Sequence, residues 1–89
     1  MTYSCEFRES VEERLRKLVK RNPALLCTIR KKVQEIRENP HRYKNLRAPM
    51  QRWKRVHVGG SFVLVFSVDE KNDTIVFEDL DHHDRIYRI

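Results

Sequence analysis

Apolar residues in this chain begin at alternate positions, shift to every third or fourth, and then return to alternation. Tyr3, Cys5 and Phe7 alternate with Ser4 and Glu6, which predicts a short strand over residues 3–7. Ser10 then stands as a helix N-cap, with Glu13 at capping-box spacing. Val11, Leu15, Leu18 and Val19 follow at helical intervals and predict an amphipathic helix over 11–21. Asn22-Pro23 ends that helix and starts another, because Asn caps and Pro is tolerated at the first helical position. Leu26, Ile29, Val33 and Ile36, widened by Leu25, carry this second helix to Asn39-Pro40, where the residue before proline avoids helical geometry. So short a connection makes the helices an antiparallel hairpin, whose stripes are expected to pack on a sheet.

Residues 41–52 show little periodicity. From Trp53 to Val58 alternation returns, with Val56 and Val58 on the core side and Trp53, Arg55 and His57 on the other. Gly59-Gly60-Ser61 is a hairpin turn signal. The run Phe62–Val68 puts Phe62, Leu64, Phe66 and Val68 on one face and Val63, Val65 and Ser67 on the other, as expected of a central strand covered on both sides. After the turn Asp69–Asp73, Thr74–Leu80 forms a last strand closing on Asp81-His82-His83-Asp84-Arg85-Ile86-Tyr87. The order is β-α-α-β-β-β, an α+β two-layer sandwich with a helical hairpin on one face of a small, mainly antiparallel sheet. The other face should carry Trp53, Arg55 and His57, with His82 and His83 at its rim.

Eighty-nine residues hold one core, so residues 1–89 are read as a single domain. No apolar segment resembles a signal peptide or approaches the length of a membrane span, and a cytoplasmic location is expected. Cys5 and Cys27 lack CxxC spacing and are expected to be buried thiols rather than a disulfide.

Charge adds a direction. Residues 1–58 hold 16 of the 19 Lys+Arg against 6 of the 13 Asp+Glu, while residues 59–89 hold 3 against 7. A basic segment of this kind fits a polyanion or an acidic protein segment. In the connector, Arg47 and Arg52 accompany Tyr43, and Trp53 and Lys54 follow, so aromatics that can stack bases are interleaved with cations that can track phosphates. The competing reading packs Trp53 on the sheet and leaves the cations solvated.

The candidate chemistry is cleavage of RNA through its own 2′-hydroxyl, which needs a base, an acid and positive charge on the crowded phosphate. Histidine suits the first two roles because its unperturbed pKa lies near neutrality, and His57, His82 and His83 supply the imidazoles. Arg55 and Arg85 supply charge. The competing reading is a polar tail whose adjacent histidines point apart and do nothing. No cofactor is expected, and no metal either, since consecutive residues such as His82, His83 and Asp84 seldom bind one ion. P-loop, GxSxG, GxGxxG and HExxH patterns are missing from the sequence.

The order of elements, the basic second helix, Asn45-Leu46-Arg47, Arg55-Val56-His57-Val58-Gly59 and the ending His82-His83-Asp84-Arg85-Ile86-Tyr87 together resemble the RelE/ParE superfamily of toxin–antitoxin toxins, nearest its archaeal RelE-like branch. The resemblance implies a growth-inhibiting toxin. RelE-like members cut mRNA in the ribosomal A site without metal, whereas ParE-like members inhibit DNA gyrase. Both are neutralised by a cognate antitoxin, expected here to be acidic and partly helical. By this resemblance Trp53, Arg55 and His57 match the family's RNA-contacting strand, His82 the histidine of its His-Arg pair, and Tyr87 its terminal tyrosine. Two positions depart. The family's Gly-x-Tyr-Arg reads Gly60-Ser61-Phe62-Val63, so a valine replaces the phosphate-stabilising arginine, and the arginine of His-Arg is His83. The expected function is ribosome-dependent, metal-independent mRNA cleavage. The alternatives are a non-catalytic member that binds its antitoxin or a protein target such as gyrase, and a free-standing RNA-binding module.

Overall fold

The computed structural model describes residues 2–43 and 53–86. Its elements are β1 (Ser4–Phe7), α1 (Glu9–Arg21), α2 (Pro23–Glu38), a 3-10 turn at Pro40–Arg42, β2 (Lys54–Val58), β3 (Phe62–Asp69), β4 (Thr74–His82) and a short α3 (His83–Ile86). The strands form one sheet in the order β1-β4-β3-β2. β1 runs parallel to β4, and the β2–β3 and β3–β4 pairs are antiparallel. The α+β sandwich read from the sequence is the observed architecture, with two long helices packed on a four-stranded sheet. Among the described residues no helix is long and apolar enough to cross a membrane.

Helix α1 starts earlier than the capping-box spacing predicts. Arg8, not Ser10, occupies the N-cap, with extended backbone and no side-chain cap. The cause is the sheet: Arg8 N–H donates to Phe77 O (3.1 Å), and Arg8 O accepts from Val11 N and Glu12 N (3.0 Å each). The parallel ladder therefore hands the chain directly into its first helical turn, where Glu9 and Glu12 complement the dipole. The second start follows expectation: Asn22 Oδ1 accepts from Leu25 N at 3.1 Å, with Pro23 opening α2.

The main core joins Val11, Leu25, Ile29 and Ile36 to Val58, Leu64, Phe66, Ile75, Phe77 and Leu80. Val19, expected in the stripe of α1, is instead 56% exposed. It lines an apolar groove of about 340 Å3 between the two helices, with Leu26, Ile29 and Val33 across from it and Arg16 and Arg30 at the rim. The cysteines also differ from expectation, since Cys5 is half-buried and Cys27 exposed, both as free thiols.

One irregularity in β4 determines which side of the sheet its C-terminal residues face. Val65 pairs with Asp79 but the next residue, Phe66, pairs with Phe77, so Glu78 is an extra residue in the ladder. The bulge reverses the alternation of β4. Ile75 and Phe77 face the helices before it; Leu80 faces them after it.

Candidate active-site cleft

The face of the sheet away from the helices is ordered in cross-strand rows. Arg55 on β2 pairs with Val65 on β3, which pairs with Asp79 on β4; His57 pairs with Val63, and Val63 with Asp81. Each row runs from a base through a valine to a carboxylate. Arg55 and His57 stand two residues apart on one strand, about 7 Å along it.

The centre of this face is not bare. Val63 and Val65, at 0% and 1% exposure, are covered by Ile86 of α3 and by Trp53. The indole thus packs on the sheet beside Arg55 and His57. Val63, where the resemblance leads one to expect an arginine, is the floor of this small apolar cluster.

Helix α3, which no sequence pattern predicts, returns the chain over β3, where Ile86 packs on Val63 and Val65. His83 N–H donates to Ser61 O (2.8 Å) as the helix begins. The His83 ring then stacks on His57 with centroids 5.3 Å apart and planes at 29°. Together with Gly60, Ser61, His82 and Asp84 they line a cleft of about 450 Å3 at the β2–β3 turn.

Asp81 holds this corner. Its Oδ1 accepts from His82 N–H (2.7 Å) and lies 3.7 Å from Arg85 Nη1 of α3. Its Oδ2 accepts from Arg14 Nη2 of α1 at 3.1 Å. Arg85 thus pairs with Asp81 across one helical turn's spacing, and it is not among the residues that line the cleft. On the same face Glu78 accepts from Arg8 Nε (2.8 Å) and Ser67 Oγ (2.7 Å), and this hydrogen bond and charge raise the Arg8 pKa. The carboxylates of β4 are in this way partly masked by arginines of the helical layer and α3.

His82 is placed differently from its neighbour. The Glu78 bulge puts it in the row Val58–Phe62–His82, on the side of the helices, where its ring lies 4.4 Å from that of Phe62. It borders the cleft from that side. Thus the structure brings His57 and His83 together, sets Arg55 on the same strand as His57, and turns His82 to the opposite face. Arg47, Arg52 and Tyr87 lie outside the described residues. Lys54, the first residue of β2, donates Nζ to Tyr43 O at 3.2 Å and so ties the start of the connector to the strand.

Sequence reasoning missed Ser61 and Asp84 as cleft residues and Asp81 as their anchor. The only signal was Asp81 and Asp84 flanking the histidine pair. Among the described residues no group of three His, Cys, Asp or Glu side chains is arranged to hold a metal ion. Two stacked imidazoles with a cationic strand beside them can move protons at a bound phosphodiester.

The family model for the ParE toxin of type II toxin–antitoxin systems matches residues 5–87. The chain belongs to that family. It is a RelE/ParE-type toxin of a toxin–antitoxin system. It is 54% identical over 86 residues to a provisionally named toxin RelE4 of Methanocaldococcus jannaschii, covering 97% of this chain and 92% of that one. Its fold is similar to the toxin–antitoxin complex RelBE2 from Mycobacterium tuberculosis (TM-score 0.79, 22% identity, 93% of this chain and 100% of that chain). It is also similar to the intact E. coli RelBE toxin–antitoxin complex (TM-score 0.74, 20% identity, 90% and 95%). At these identities the solved structures establish shared architecture alone.

Proposed function

We propose that this RelE/ParE-type toxin halts translation by cutting mRNA on the ribosome, in the cytoplasm, with the His57–His83 pair as its acid–base centre. The observation that carries this reading is the stacking of those imidazoles in an open cleft next to Arg55. One imidazole takes the proton of the 2′-hydroxyl as it attacks the adjacent phosphorus; the other gives a proton to the departing 5′-oxygen. Arg55 places positive charge on the strand that approaches the phosphate, while Lys54, on the other side of that strand, holds the start of the connector through Tyr43 O. Arg85 acts through Asp81, fixing the helix that carries His83. Trp53 gives β2 a rigid backing, while Arg47, Arg52 and Tyr87 are proposed to extend the RNA-contacting surface.

The toxin's partner, in this proposal, is an antitoxin with an acidic, partly helical segment. An apolar groove edged by Arg16 and Arg30 suits an amphipathic helix with carboxylates along its flanks. The similar structures from M. tuberculosis and E. coli are both toxin–antitoxin complexes, which supports a partner of this kind.

A second reading, binding to a protein target such as gyrase without catalysis, draws support from buried Val63. That position offers the phosphate no charge. Induction in a growing host separates the two. Methionine incorporation should stop within minutes while thymidine incorporation continues; an initial arrest of DNA synthesis with message intact would favour the gyrase reading.

A further inference from the structure

A recess of about 450 Å3 lies on the helix side of His82, between the first turns of α2 and the β2–β3 turn, bounded by Ala24, Leu25, Thr28, Gly59, Phe62 and His82. It shares Ser61 and His82 with the imidazole cleft, so the two spaces adjoin at those residues. We propose that this recess seats the nucleobase of the RNA residue adjoining the phosphate held at the His57–His83 cleft, and that it selects which base is accepted. The proposal rests on the endonuclease reading.

Three features support it. The rings of Phe62 and His82 lie with centroids 4.4 Å apart and planes tilted by 32°, giving the recess an aromatic wall of the kind on which bases stack. Thr28 Oγ1 donates to Ala24 O at 3.2 Å, so its proton is engaged and the hydroxyl meets a ligand as an acceptor, suited to an exocyclic amino group. Gly59 keeps the turn close against α2: a Cβ there would meet Leu25 Cδ1 at 2.5 Å, and its φ is +59°. The recess is therefore a packed junction of two elements, and its volume falls within the roughly 300–1,000 Å3 of small-molecule sites. The adjoining cleft is lined by polar groups and imidazoles, whereas the recess offers an apolar floor at Leu25 and Phe62. That is the division a nucleotide requires, with phosphate on one side of His82 and base on the other.

The test uses the full chain labelled with 15N and titrated with the four nucleoside 3′-monophosphates, with inorganic phosphate as the control. Nucleotides should shift the amides of Ala24, Thr28, Phe62 and His82, and one base should bind best; phosphate alone should leave Ala24 and Thr28 unmoved. Ala24→Trp, which fills the recess from an exposed helical position, should weaken nucleotide binding by about tenfold or more. Thr28→Val, which keeps the shape and removes the hydroxyl, should alter the ranking of the bases. Shifts confined to β2 and α3, or equal shifts with phosphate alone, would overturn the proposal. On translated message, Ala24→Trp should change the nucleotide preference at the cut. Cutting with unchanged preference would overturn the recess alone, whereas a wild-type chain that cuts nothing would overturn the endonuclease reading and leave the titration to decide the recess.

Discussion

His57 and His83 are 26 residues apart in sequence and stack with their ring centroids 5.3 Å apart. Strand β2 presents one ring and the first residue of α3 returns the other, so neither ring alone defines the cleft. If the pair works as a unit, His57→Ala and His83→Ala should each lower RNA cleavage by about 100- to 10,000-fold. The double variant should lose little more than either single one, because groups acting together are strongly non-additive. Losses that multiply in the double variant would show two independent roles.

Val63 tests whether the open face can accept the family's arginine. The side chain is fully buried beneath Ile86 and Trp53. Val63→Arg should destabilise the fold by more than about 2 kcal/mol in urea unfolding, since it drives an unpaired charge into an apolar cluster. Amide exchange at residues 83–86 should accelerate as α3 lifts. Unchanged stability would mean that α3 yields its place easily, and that the cleft can be rebuilt around an arginine.

The adjacent glycines of the β2–β3 turn differ in what surrounds them. Both have positive φ, +59° and +81°, but a Cβ on Gly59 meets Leu25 while one on Gly60 meets open space. Gly60→Ala should therefore show only the left-handed backbone penalty, about 1–2 kcal/mol. Gly59→Ala should lose clearly more in thermal unfolding. Equal losses would mean that Leu25 moves aside freely.

Asp69 organises the β3–β4 turn and gives it an acid-sensitive component. The side-chain amide of Asn72 donates to Asp69 Oδ2 (2.8 Å), and the backbone N–H groups of Lys71 and Asn72 point to Oδ1 (3.1 and 3.4 Å). These hydrogen bonds, with the Asn72 side chain foremost, hold the carboxyl below its ordinary value of 3.8. A depressed native pKa means that the contribution is complete above the unfolded value and disappears as pH falls through the native one. The stability difference between wild type and Asp69→Ala should be constant above about pH 5 and shrink below about pH 4. A difference that persists undiminished to about pH 2 would contradict this.

The thiols should separate under alkylation. Burial raises the Cys5 pKa, with Arg37 opposing it, while Cys27 lies exposed on α2. Iodoacetamide should label Cys27 first in the native protein, and mass spectrometry of tryptic peptides reads the order directly.

Much of the fold was legible because its periodicities are clean. The alternation of Phe62 to Val68 named both faces of β3, and Asn22-Pro23 marked the joint between helices. The Ser10 pattern misled because any Ser followed three residues later by Glu fits a capping box, whereas Arg8 is held by a strand 69 positions downstream. The bulge at Glu78 left only a faint mark, the three-residue step from Phe77 to Leu80 across Glu78-Asp79, which is easily passed over in so short a strand. Its effect on the site is large. Continued from Ile75 and Phe77, unbroken alternation would put His82 on the open face with His57; the bulge turns it toward α2. Helix α3 was illegible for another reason: four residues, mostly polar, carry no measurable period.

The central claim is that the paired imidazoles cut message in the ribosome, and mapping of mRNA 5′ ends in a reconstituted translation reaction tests it most directly. With purified toxin, new ends should appear at a fixed offset from the reading frame and only on translated message, and they should vanish with the His57→Ala, His83→Ala double variant. Intact message with wild-type toxin, or identical cuts from the double variant, would contradict the account.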